Sequence, residues 1–218
     1  MIIHADHSKR VVVDSSSLPW VASPMPGVLR KMLERDGGEQ ARATSVVRYE
    51  AGSHFETHVH SGGEEIFVLA GILEDELGTY PAGTYLKNPP GSSHQPFSKD
   101  GCTLFVKLRY AKEGDTQRVV VNSHDAQWSP GLVPGLEVLP LSEFMGEHTA
   151  LVRWQPGTQF QPHRHFGGEE IFVLEGTFQD EYGTYPQGAW LRNPHMSAHQ
   201  PFSVEGCTIL VKVGHLDA

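Results

Sequence analysis

Eight residues of this chain have the types and spacing of metal ligands, in two matched sets: His58, His60, Glu64 and His94, then His163, His165, Glu169 and His199. Three neutral imidazoles and one carboxylate form a borderline donor set suited to zinc, iron, manganese or nickel. In His58-x-His60 and His163-x-His165, a spacing of two puts both rings on one face of an extended segment. A Gly-Gly bend follows, and a glutamate then opens an apolar strand. Ile66 and Val68 share the parity of Glu64, so Glu64 and Glu169 belong to the inward face, and Glu65 and Glu170 point the other way. His94 and His199 lie 34 residues past the second histidine of each pair, a separation that strands laid side by side can close. The bland alternative, histidines that merely hydrogen-bond, must explain four such residues recurring together twice. It must also explain a glutamate in an apolar barrel mouth, which without a cation would cost several kcal/mol. Two metal sites per chain, one per domain, are therefore expected.

These sets recur because the chain is duplicated. Thr44–Leu108 and Thr149–Val213 align at an offset of 105 residues without a gap, and 37 of the 65 pairs are identical. Upstream, WVASPMPG (20–27) matches WSPGLVPG (128–135) at an offset of 108, so the second copy has lost three residues in between. Short apolar or alternating stretches such as Thr44–Tyr49, Glu65–Leu69, Thr84–Lys87 and Thr103–Tyr110 are punctuated by Gly, Pro, Asn and Asp. Only Leu29–Arg35 hints at a helix. The pattern predicts an all-β chain with domains at 14–110 and 122–218, joined by a linker at 111–121 whose Arg118–Val121 could pair as an edge strand.

Composition narrows the function classes. A formal charge of -9 over 218 residues disfavours nonspecific binding to nucleic acid or to an anionic membrane surface. The longest apolar run, Ile66 to Leu73, is broken by Gly71 and is too short to span a bilayer. The N-terminus lacks the order of a signal peptide, which makes a cytoplasmic protein the expectation. Cys102 and Cys207 occupy equivalent positions in the two copies and form no CxxC. They are expected to be small buried hydrophobes rather than a disulfide.

The residues Gly52-x5-His58-x-His60-x3-Glu64-x6-Gly71 and Gly157-x5-His163-x-His165-x3-Glu169-x6-Gly176 resemble motif 1 of the cupins. The resemblance covers nearly the whole chain. It implies a bicupin, two tandem jelly-roll barrels of the double-stranded β-helix type. Where most cupins place their fourth ligand, after Pro81-x-Gly83 and Pro186-x-Gly188, this chain has Leu86 and Leu191. A later histidine, with GGEEIFVL and PxGxxxxNP, is similar instead to the cupin domain of ChrR-type anti-sigma factors. That resemblance implies zinc held by His58, His60, Glu64 and His94, and by His163, His165, Glu169 and His199. Cupin sequence begins almost at once and no cysteine pair is present to build that family's helical zinc domain, so direct sigma-factor binding is not expected.

Two functional classes follow. One is a zinc-organised module that binds a small molecule or senses stress as a regulator. The other is an Fe(II)-dependent dioxygenase acting on a small diketone or hydroxylated ketone. Around the ligands, Arg48 and Arg153 could orient an anionic substrate or pair with Asp75/Glu76 and Asp180/Glu181. Tyr85 and Trp190 could shape the two pockets or pack in the core, and Gln95 and Gln200 could hydrogen-bond a bound ligand or a metal water. The unmatched His54 and His195 would make the two mouths unequal, one of them as a general acid or base. Edge strands near Val11–Val13 could pair across a homodimer.

Overall fold

The computed structural model describes residues 1–216, and residues 217–218 lie outside the described residues. Among the described residues there is no α-helix, and no helix long and apolar enough to cross a membrane. The chain divides into two compact units, one of residues 1–5 and 18–126, the other of 6–17 and 127–216.

The N-terminal unit is built on an antiparallel sheet whose strands run in the spatial order Ile2–Ile3, Val28–Asp36, Arg42–Tyr49, Cys102–Leu108, Glu64–Asp75, Thr84–Asn88 and Val119–Asn122. The Glu64–Asp75 strand carries the metal-motif glutamate and serves two sheets. Its first half pairs with Cys102–Leu108 and Thr84–Asn88, and its end pairs with Gly78–Pro81 and Phe97–Ser98. Gly71, the last motif residue, sits at this corner with φ 73°, and a Cβ there would collide with the Gly101 carbonyl. Only glycine fits both the backbone sign and the approach. Gly176 repeats the arrangement against Gly206 in the second unit.

Inward parity builds the core. Val28, Tyr49, Ile66, Val68, Leu86 and Leu104 form one cluster, and their counterparts Leu136, Trp154, Ile171, Val173, Leu191 and Ile209 form the other. Leu86 and Leu191 are fully buried, so the position used for a ligand by most cupins is core here. Each such side chain contributes about 1.5–3 kcal/mol by leaving water.

One expectation needs correction. The segment 29–35 is not helical but lies within the Val28–Asp36 strand, laddered to Arg42–Tyr49 from Val28↔Tyr49 to Asp36↔Arg42. Local spacing resembled a helix because a bulge after Met32 shifts the strand's face part-way along. Within the linker at 111–121, the edge strand expected near Arg118–Val121 forms. Val119–Asn122 pairs with Thr84–Asn88 in the N-terminal unit. Its repeat counterpart, Val11–Asp14, pairs with Ala189–Asn193 in the C-terminal unit. Each unit thus takes an edge strand from the leading segment of the other copy. The strand at Val11–Asp14 pairs on one side with Ala189–Asn193 and is the last strand of that sheet, so it is an edge strand.

Candidate metal centres

In each unit a two-stranded ladder sets the histidines. His58–Val59 pairs with Ser93–His94 so that His58 stands opposite His94, and His163 stands opposite His199 in the same way. His60 is fixed next to them by backbone bonds, its N–H to the Ser92 carbonyl at 2.9 Å and its carbonyl accepting from Gly91 at 2.9 Å. Rings of His58, His60 and His94 lie 4.7–5.1 Å apart, and those of His163, His165 and His199 lie 4.7–4.9 Å apart. With Glu64 and Glu169, each set offers four ligand atoms all within 4.8 Å of one another.

The remote nitrogens show how the rings are oriented. His58 Nδ1 lies 2.9 Å from the Glu56 carbonyl and His163 Nδ1 3.1 Å from the Gln161 carbonyl. A carbonyl only accepts, so Nδ1 carries the proton and the Nε2 lone pair is free for a cation. His94 Nδ1 faces Asp75 Oδ2 at 3.2 Å, and His199 Nδ1 faces Asp180 Oδ2 at the same distance. Carboxylates placed behind ligand histidines are the usual outer support of a metal site.

Whether a cation fits can be tested on the inner nitrogens. Nε2 of His60, His94, His165 and His199 are all buried with no hydrogen-bond partner. His60 Nε2 and His94 Nε2 stand 3.5 and 3.4 Å from Glu64 Oε2, beyond a good hydrogen bond but suited to donors sharing one ion at ~2.1 Å. Four orphaned imidazole nitrogens would be costly in a folded protein, and a divalent cation in each cluster satisfies them. Burial, with the neighbouring rings His94 and His58, lowers the pKa of His60 despite the attraction of Glu64 and keeps it neutral, and His165 behaves alike. Burial also opposes the charged form of His94, but the Asp75 hydrogen bond and the Glu64 and Asp75 charges outweigh it and raise its pKa. His199 follows the same pattern.

A further layer was not foreseen from the sequence. Asp75 Oδ1 accepts from the Tyr80 hydroxyl at 2.8 Å, and Arg118 Nη2 donates to that hydroxyl at 2.8 Å. In the second unit Tyr185 donates to Asp180 at 2.7 Å, while Arg10 bonds the Tyr185 hydroxyl, Asp180 Oδ2 at 3.3 Å and Asn193 Oδ1 at 3.0 Å. Asn193 in turn donates to Glu169 at 2.9 Å, as Asn88 does to Glu64 at 3.1 Å. Arg10 and Arg118 immediately precede the two exchanged strands. The repeated Arg-Val-Val-Val was the available signal, but which site each arginine serves depends on the exchange.

Other sequence candidates lie away from the ligands. Arg48 stacks over Trp20 at 4.2 Å, and Arg153 stacks over Trp128 at 4.1 Å and pairs with Glu137 at 3.1 Å. They share strands with the core residues Tyr49 and Trp154 but have the opposite parity, and their contacts are with Trp20, Trp128 and Glu137 rather than with Asp75/Glu76 or Asp180/Glu181. Tyr85 donates to Glu65 at 3.0 Å and Trp190 to Glu170 at 2.7 Å, each on the face opposite Glu64 or Glu169. They are buried and shape neither ligand cluster. Gln95 and Gln200 are exposed, and it is their backbone amides that matter, bonding Glu76 at 3.0 Å and Glu181 at 2.8 Å beside the late histidine. His54 is exposed next to Glu56, and His195 accepts from the Gly167 amide at 2.9 Å.

The ligands of the N-terminal unit open onto a cavity of about 520 Å³ that reaches His58, His60 and Glu64 and is otherwise walled by barrel residues such as Val47, Phe55 and Leu104. The family profile for the ChrR cupin-like domain matches residues 8–112 and again 116–217. The chain belongs to the ChrR cupin-like domain family. Solved structures share the cupin fold at low identity. A candidate dioxygenase from Nostoc punctiforme superposes with a TM-score of 0.78 at 15% identity, covering 94% of this chain and 82% of its own. The oxalate decarboxylase of Lactobacillus farciminis, solved with formate, gives 0.69 at 14% identity over 99% and 89%. The Escherichia coli pirin YhhW, solved with nickel(II), gives 0.70 at 15% identity over 96% and 100%. No curated protein matches the chain in sequence. This ChrR-like chain is therefore a metal-binding bicupin.

Proposed function

We propose that this bicupin is a two-zinc protein that binds a small molecule and works as a cytoplasmic sensory or regulatory module. The observation that carries the metal half is the pair of clusters with four orphaned Nε2 atoms. Four protein donors per cluster favour zinc, whose sites of this kind are tetrahedral. Bound zinc would supply a fixed positive charge and Lewis acidity. The ligand residues would hold it, Asp75 and Asp180 would keep His94 and His199 in the binding tautomer, and the apolar barrel would exclude water. The match to the ChrR cupin-like domain supports a sensing role.

A second reading, an Fe(II)-dependent dioxygenase acting on a small diketone or hydroxylated ketone, is favoured by one observation. Three of the N-terminal ligands line a cavity large enough for an organic substrate. Elemental analysis of protein purified anaerobically from its own host separates the two. Near two zinc per chain supports the sensor, iron supports the dioxygenase, and protein without metal overturns both.

A further inference from the structure

The two barrels share their ligands but not their mouths. In the N-terminal unit the residues lining the cavity include three arginines, Arg30, Arg35 and Arg109, in a chain whose net charge is -9. Two of them are held by Glu39. Arg30 grips its carboxylate with two bonds of 2.8 Å, and Arg35 reaches it at 3.4 Å and the Gly38 carbonyl at 2.7 Å. The Glu39 side chain is 57% exposed, whereas those of Arg30 and Arg35 are 17% and 5% exposed. Glu39 is thus an exposed carboxylate on a glycine-containing turn, reaching down to buried cations. Arg30 Nε is buried with no hydrogen-bond partner, so the clamp is incompletely used.

The C-terminal unit lacks all of this. Register places Val138 where Arg30 stands and Glu143 where Arg35 stands. The three residues missing from the second copy come out of the hairpin between these strands. Residues 37–41 shrink there to Met145 and Gly146, both at positive φ (46° and 81°), a two-residue turn. Gly214 replaces Arg109, and a Cβ on it would strike the Gly146 carbonyl, so the short turn forbids a side chain at that point. The longer hairpin of the first copy leaves room for Arg109, which keeps φ 62° where its counterpart is glycine. A non-glycine residue held in this region is strained, and this one is among the residues that line the cavity.

We infer that the N-terminal barrel alone binds an organic carboxylate with an apolar body, that Arg30, Arg35 and Arg109 clamp its carboxylate next to the metal, and that Glu39 is the tethered competitor it displaces. The C-terminal metal is then structural. This rests on the proposed metal-dependent small-molecule site and names its ligand class. A carboxylate is preferred because Arg30 already binds one in the bidentate geometry that guanidinium groups favour. The Val47, Phe55 and Leu104 walls call for an apolar remainder.

The test is calorimetric titration of the full, metal-loaded chain with 3-phenylpropionate and with its neutral analogue 3-phenylpropanamide, metal content being measured on the same samples. The acid is expected to bind at least about tenfold more tightly than the amide. Glu39→Gln should tighten the acid about fivefold, because a neutral amide competes less well for a guanidinium. Arg109→Gly should weaken it about tenfold without loss of thermal stability, since glycine relieves the strained backbone. Equal affinity for acid and amide, no binding of the acid to either wild type or Glu39→Gln, or no effect of both substitutions overturns the inference while two metals per chain leave the metal reading standing. Protein that cannot be loaded with metal overturns the reading beneath it.

Discussion

Each ligand histidine does two jobs at once, and its two nitrogens have separate partners. Nε2 of His60 or His94 has only a cation to meet, while Nδ1 of His58 and His94 is tied to Glu56 and Asp75. Because every ligand of a set comes from one unit, His60→Ala should empty the N-terminal site and leave the other filled. Metal analysis should then show about half the wild-type metal, and loss of both metals, or of neither, would sink the idea of separate sites. The cysteines behave as the sequence suggested. Burial pushes the thiols of Cys102 and Cys207 up to about 11, against weaker help to the thiolate from Ser98 and Ser203. A pKa raised that far leaves almost no thiolate at pH 8, so native protein should resist iodoacetamide and react only once unfolded, a difference that mass spectrometry reads directly. Appreciable labelling of folded protein would contradict it.

Among the elements, the exchanged strands matter most for the site. Val11–Asp14 and Val119–Asn122 complete the sheets, and the arginines just ahead of them brace the aspartates behind His199 and His94. Arg10→Met should therefore weaken metal at the C-terminal site by about tenfold, the lower range for loss of an outer support, and leave the N-terminal site unchanged. Chelator competition on single-site variants resolves the two, and weakening of the N-terminal site instead would show that the strand serves the wrong unit. The hairpins act at the same scale. Five residues at 37–41 include Glu39, whereas the two-residue turn at Met145–Gly146 has no counterpart of Glu39. The shorter turn, with Val138 and Glu143 in place of Arg30 and Arg35, leaves the second mouth without the arginines of the first.

For the whole molecule, two cores of similar make-up accompany two polar clusters, and each cluster buries a glutamate among three imidazoles, an arrangement that a bound cation would stabilise. An ion that binds the folded chain and not the unfolded one stabilises it by about 4 kcal/mol when present at a thousand times its Kd. Prolonged treatment with EDTA should therefore lower Tm by well over ~5 °C, since about 1 kcal/mol moves a domain of this size by ~4–8 °C. Calorimetry before and after zinc is restored checks the effect, and an unchanged Tm would mean that the clusters hold no metal in solution.

What the sequence by itself determined is local or repeated. The ligands were legible because His-x-His in an extended chain leaves no choice of face, and because the parity of Ile66 and Val68 separates Glu64 from Glu65. The all-β barrels were legible from the duplicated pattern of strands, turns and motif glycines. Tertiary structure decided whatever depended on pairing between distant segments. Residues 29–35 became strand because Arg42–Tyr49 offered a ladder, overriding a weak local hint. Val-Val-Val fits the edge of either barrel equally well, so no pattern of apolar residues could say that each copy lends its first strand to the other. Arg30, Arg35 and Arg109 are single residues scattered over 80 positions, and only the folded barrel gathers their charges around one cavity. Hydrophobic period is written along the chain, whereas the meeting of charges is written across it.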